Sequence, residues 1–149
     1  MTNFHTLRLI LGDQLNRQHS WYKQKDDGVL YLIAELHQEA KYVTHHIQKL
    51  CAFFAAMESF ANSLRSDQHQ VSYLNLDDTV DYASLPQLLG ALCQQHSVQH
   101  LEYQQPDEYR LAQQLQSMDI GTSVSCFDTE HFLLPQSEIP HYINAGKHN

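Results

Sequence analysis

No Cys-x-x-Cys spacing occurs anywhere in the 149 residues. Cys51, Cys93 and Cys126 stand far apart and are odd in number. A disulfide framework, a zinc site or an iron–sulfur ligand set within this segment is therefore disfavoured, and the expectation is reduced thiols, at least two on buried apolar faces, in a cytosolic protein. Positive charge is also scarce: nine Lys and Arg face seventeen Asp and Glu, for a formal net charge of −8. That balance argues against broad contact with DNA phosphates, and no basic stripe is visible. The eleven His offset part of the negative charge only below about pH 6.5. No apolar run approaches the roughly 18 residues of a membrane span. The first run, Leu7–Leu11, carries Arg8 and is too short for a secretory signal. No GxGxxG or GxxxxGK[ST] follows it, so the usual glycine turn of dinucleotide and P-loop sites is missing.

What is present reads as one α/β domain. The length suits a single core that needs no metal or disulfide staple, and a mean hydropathy of −0.46 reflects a Gln- and His-rich surface. Thr6–Leu11 and Val29–Ala34 are nearly continuous apolar runs, as expected of strands buried on both faces of a parallel sheet. Gln70–Leu76, Val98–Tyr103 and Thr122–Phe127 complete five strands, and Asn16–Gly28 reads as a polar loop. Val43, Ile47, Leu50, Phe54, Met57, Ala61 and Leu64 step by four and three along Gln38–Arg65, which predicts one long helix. Phe53 and Phe60 widen that stripe, so the helix is expected to be sandwiched. Leu85–His96 and Asp107–Met118 are the other helices, the first with Pro86 in its opening turn and the second with Asp107 and Glu108 at its positive end. The alternation points to a Rossmann-like, doubly wound, mainly parallel five-stranded sheet with helices on both faces. Residues 1–128 form the domain, and residues 129–149 read as the start of an interdomain linker that looks cut off.

In such sheets ligands lie beyond the carboxyl ends of the strands. The candidates there are Gly12-Asp13-Gln14, the stretch Glu35 to Glu39, Asp77-Asp78 and Gln104–Glu108. Gly12 permits close backbone approach, while Asp13 and Gln14 offer an acceptor and a mixed amide edge. The plain alternative is an ordinary turn in which Asp13 bonds nearby backbone. Glu35 and Glu39 bracket the entry to the long helix, where a Glu is favoured by the dipole or can accept from the ring N–H of a heterocycle. His45 and His46 are adjacent and diverge by about 100° on a helix. Positions four residues away hold Lys41, Lys49, Tyr42 and Leu50, so they do not chelate one metal ion together. No Ser–His–Asp or Cys–His set is assignable, and the segment lacks a complete active site of its own.

Several segments together resemble one family. Leu9-Ile10-Leu11-Gly12-Asp13-Gln14-Leu15, Tyr42-Val43-Thr44-His45-His46-Ile47-Gln48-Lys49-Leu50, Phe53-Phe54-Ala55-Ala56-Met57 and Pro106-Asp107-Glu108-Tyr109-Arg110 occur in this order. They are similar to the N-terminal region of the deoxyribodipyrimidine photolyase-related proteins, the iron–sulfur bacterial cryptochromes and photolyases. The resemblance implies an α/β domain that holds a ribityllumazine antenna chromophore. A later helical domain would bind FAD and an iron–sulfur cluster and handle damaged DNA, in the cytoplasm. By position it makes Gly12, Asp13, Gln14, Glu39, Tyr42 and His45 the antenna-pocket candidates. No catalytic residue and no metal ligand is expected in this segment, whose role is energy transfer within a light-driven DNA-repair protein or photoreceptor. The alternatives are a non-enzymatic docking or regulatory module with an empty crevice, and a small-ligand enzyme using Asp13 and Glu39 as acid and base.

Overall fold

The computed structural model describes residues 3–36 and 47–130, the side chains of 47–50 excepted. Its order is β1 (Thr6–Ile10), a 3-10 turn (Ser20–Lys23), β2 (Val29–Ala34), α1 (Ile47–Ser66), β3 (Gln70–Leu74) and α2 (Leu76–Thr79). Then come α3 (Leu85–Gln95), β4 (His100–Gln104), α4 (Tyr109–Ser117) and β5 (Ser123–Phe127). The strands form one sheet in the order β3-β2-β1-β4-β5, and every pairing is parallel. This is the Rossmann-like α/β fold expected from the continuous apolar runs. No helix among the described residues is long and apolar enough to cross a membrane.

The pleat divides the core into two layers. Leu7, Leu9 and Leu11 of the first strand and its exit point to one face with Leu30, Leu32 and Leu101, where Leu85, Leu88, Leu89, Leu111 and Leu115 from α3 and α4 meet them. Ile10, Val29, Tyr31 and Ile33 point to the other face, under Met57, Phe60, Ala61 and Leu64 of α1. Register places Leu7 beside both Leu30 and Leu101, and Leu9 beside Leu32 and Tyr103. Each fully buried Leu contributes about 1.5–3 kcal/mol of transfer free energy, which is why β1 and β2 tolerate almost no polar residue.

Helix ends follow their local chemistry. Ser84 caps α3 ahead of Pro86, and Glu108 caps α4 by accepting from Leu111 N at 2.7 Å. α4 thus starts at Tyr109, two residues after the expected Asp107, because Glu108 is its cap. β3 likewise stops at Leu74, since Asn75 and Asp78 form a reciprocal capping box that turns Leu76–Thr79 into a short helix. α1 and α3 both close by a return bond, His69 N to Leu64 O and Val98 N to Cys93 O, with Gln68 and Ser97 in the left-handed region.

Three expectations are corrected. α1 is not sandwiched: Met57, Phe60, Ala61 and Leu64 are buried, whereas Phe53 and Phe54 are half-buried and Ala52, Ala55, Ala56, Glu58 and Ser59 are exposed. One face of the helix suffices to cover the sheet, and Phe54 lies where that face ends. Of the cysteines only Cys93 is buried, where burial pushes its thiol up to about 11. Cys51 lies off the apolar stripe and Cys126 lies on an edge strand, so both are exposed. Ser20–Lys23 is a 3-10 turn rather than plain loop, because Trp21 and Tyr22 bury against the sheet. Val43, the start of the long helix and the linker from residue 131 onward lie outside the described residues, as do the side chains of Ile47 and Leu50.

Candidate functional site

Strand order reverses between β1 and β4, so the switch point of the sheet lies at the carboxyl ends of these two strands. The turn after β1 closes through Gln14 N to Leu11 O at 2.9 Å. Gln14 is 2% exposed, and both ends of its amide are engaged. Its Oε1 accepts from Leu11 N at 3.1 Å, and its Nε2 donates to the carbonyls of Gln104 and Gln105 at 3.1 and 3.3 Å. Gln14 therefore stitches the two halves of the sheet together at the position where a crevice would open.

Gly12 faces α1. A Cβ built there would meet Phe53 Cζ at 2.3 Å and Met57 Sδ at 3.0 Å, so the missing side chain admits the helix. Asp13 is exposed at the tip of this turn. Phe53, seated against Gly12, and Phe54 form a half-buried aromatic pair with ring centroids 5.8 Å apart. Glu35, just past β2, accepts a short hydrogen bond from the Tyr73 hydroxyl on Oε2 and another from Leu76 N at 3.1 Å on Oε1. It ties β2 to β3 and to the start of α2. Burial, reinforced by the Glu35 carboxylate, pushes the Tyr73 phenol well above its usual range. Glu39, Tyr42 and His45 lie outside the described residues. Of the six antenna-pocket candidates, Gly12, Asp13 and Gln14 thus share one turn, with Asp13 its solvent-facing member.

A second constellation escaped the sequence reasoning. The 3-10 turn is fastened to the strand-five exit: His19 Nε2 donates to Asp128 O at 2.8 Å, and Glu130 accepts from Ser20 N and Ser20 Oγ at 3.1 and 2.7 Å. His19 Nδ1 accepts from Trp21 N, which leaves Nε2 as the ring nitrogen that donates. Burial pulls the Glu130 carboxyl upward, but the Ser20 hydroxyl and amide outweigh it and hold the group below its usual range. Beneath this turn Arg8 donates from Nε to Glu102 at 2.7 Å and from Nη1 to the Tyr31 hydroxyl at 2.8 Å, and its guanidinium lies over the Trp21 and Tyr31 rings. The signals were an Arg inside one apolar strand, a Glu inside another and two adjacent aromatics in a polar loop.

The carboxyl edge is acidic. Asp13, Asp77, Asp78, Asp107, Glu108 and Asp128 gather there, and among the described residues Arg110 is the cation on that edge. No group of three metal-ligating side chains occurs among the described residues.

Comparison with known proteins adds two findings. A family model described as deoxyribodipyrimidine photo-lyase-related protein matches residues 8–149. A protein of Agrobacterium fabrum (strain C58 / ATCC 33970) named (6-4) photolyase is 27% identical over 146 residues, covering 95% of this chain. The chain spans 28% of the length of that relative.

Proposed function

The chain belongs to the deoxyribodipyrimidine photo-lyase-related family, and from that premise we propose that it is the antenna-binding α/β domain of a light-driven flavoprotein. The observation that carries the reading is one of extent. The family match runs from within β1 through the other four strands, yet the chain spans only 28% of the named photolyase. Repair of a pyrimidine lesion or light sensing then belongs to the longer cytoplasmic protein, whose helical part would hold FAD and an iron–sulfur cluster and meet damaged DNA. The acidic carboxyl edge supports that division, since it repels phosphates.

The residues fit a ribityllumazine in part. Asp13 offers an exposed carboxylate next in sequence to Gly12, on which the half-buried Phe53 is seated, an acceptor and a flat apolar surface suited to a polar heterocycle. Gln14, 2% exposed, has both ends of its amide on backbone groups and serves the turn rather than a ligand. In this reading Asp13 and Glu39 accept hydrogen bonds from the ring N–H or ribityl hydroxyls, Tyr42 and His45 flank them, and Gln14 keeps the floor rigid. The bound lumazine would supply light absorption at a wavelength the flavin captures poorly. A second reading, a docking or regulatory module with an empty crevice, draws support from the closure of the switch point by Gln14 and from Phe53 seated against Gly12. Absorption and fluorescence spectra of the purified full-length protein separate the two. Flavin and lumazine bands with a broad iron–sulfur shoulder uphold the antenna reading, whereas flavin bands with no lumazine absorption and no lumazine released on denaturation favour the empty module.

A further inference from the structure

Among the described residues, Gln68, Ser97 and Glu130 have a positive φ without being glycine. Gln68 and Ser97 follow α1 and α3, where a left-handed residue closes the last turn of a helix. Glu130, with φ at 60°, follows β5 and closes no helix. A side chain held in this region costs free energy and persists only where its surroundings fix it. Here they form a strap. Asn16 Nδ2 donates to Glu130 O at 3.1 Å, and Ser20 N and Oγ donate to the Glu130 carboxylate at 3.1 and 2.7 Å. His19 Nε2 donates to Asp128 O at 2.8 Å, and Thr129, between the two anchors, is 2% exposed.

The far end of the strap is the β1 turn. Asn16 N donates to Gln14 O at 3.0 Å, and Asn16 Oδ1 accepts from Gln18 N at 3.0 Å, so this one side chain is engaged at both ends of its amide. Two successive hydrogen bonds, through Asn16, therefore join the turn that carries Asp13 to the point where the chain passes beyond β5. We propose that Asn16, Ser20 and Glu130 are positioning residues that fix the direction in which the chain leaves this domain relative to the β1 turn. The inference rests on the antenna reading, in which energy passes from a pigment at that turn to a flavin held outside this segment. The chain spans 28% of the named photolyase, so most of such a protein lies outside it. Energy transfer falls steeply with distance and depends on the relative orientation of donor and acceptor. A rigid exit bonded to the pigment's own turn holds both.

The test compares the unsubstituted full-length protein with two released variants. Glu130→Gly removes the carboxylate and frees the backbone, and Asn16→Ala with Ser20→Ala removes the side-chain donors. Both should keep the lumazine content, lower the share of lumazine excitation that reaches flavin, and raise the maximum dimension in small-angle X-ray scattering. Ser20→Thr, which retains the hydroxyl, should match the unsubstituted protein in all three. Leu115→Val, a core change in α4 that lowers stability without touching the strap, should leave transfer and scattering as they are. Transfer that does not fall in the released variants, a fall matched by Leu115→Val, or a loss of lumazine content itself would overturn the proposal. An unsubstituted protein without lumazine would instead refute the antenna reading. Scattering then decides the strap alone: a larger dimension in the released variants upholds it, and an unchanged profile overturns it.

Discussion

Phe53 stands in the space that a side chain at position 12 would need, with its ring Cζ 2.3 Å from the position of a Cβ built on Gly12. The glycine that reads in sequence as an approach for a ligand is, in the fold, an approach for a helix. Gly12→Ala should therefore destabilise the chain by about 1–3 kcal/mol through overpacking. Phe53→Leu in the same chain should recover part of the loss. Urea denaturation of the two single variants and the double variant measures the coupling, and a neutral Gly12→Ala would show that Phe53 yields freely.

Two glutamines at the same sheet edge should respond in opposite directions. Gln14 bonds one amide N–H and two carbonyls, so Gln14→Leu leaves three backbone groups without that partner and should cost about 1–3 kcal/mol. Gln104 is fully buried, and neither of its amide atoms has a partner among the described residues. The Tyr22 hydroxyl faces it without closing a hydrogen bond of ordinary geometry. Removing a buried amide in that state relieves a desolvation cost, so Gln104→Leu should be neutral or stabilising. Thermal midpoints of the two variants give the comparison directly, and a loss at Gln104 equal to that at Gln14 would show that the amide has a buried partner such as water.

These two residues also show what the sequence could convey. The strands were legible because β1 and β2 are apolar on both faces, and Val29–Ala34 was read to the residue. Met57, Phe60, Ala61 and Leu64 were legible for a different reason, apolar residues recurring at helical period on one face of α1. Gln14 and Gln104 were not separable in advance, since side-chain hydrogen bonds between residues 90 apart depend on which strands become neighbours. Asn75 and Asp78 were legible in principle, their spacing being that of a capping box, but a pair of Asp after a strand reads equally well as a stop. The 3-10 turn was hidden because its two buried aromatics have no period to announce them.

The fastening of Glu130 to Ser20 should make stability depend on pH in acid. Its folded-state pKa lies below the ordinary 4.5. The stabilisation is thus complete above that value and is lost as pH falls through the lower folded-state value. Glu130→Gln, which keeps the shape and removes the charge, should lower the thermal midpoint at pH 7, and the gap to the parent chain should close as the pH drops below 4.5. A gap that stayed constant across this range would mean that the carboxylate charge plays no part in the latch.

The central claim is that the β1 turn and the entry to the long helix hold an antenna chromophore, and it is tested most directly in the full-length protein by lumazine fluorescence and its transfer to flavin. Glu39→Gln keeps the volume and replaces a charged acceptor by an amide, which should weaken a buried charge-assisted bond by about 1.5–3 kcal/mol. Asp13→Asn makes the same change in the β1 turn. The account predicts that each substitution lowers lumazine content and energy transfer while flavin content stays unchanged. Full lumazine occupancy in both variants would contradict it, placing the chromophore elsewhere and leaving Asp13 and Glu39 as residues of a turn and a helix start.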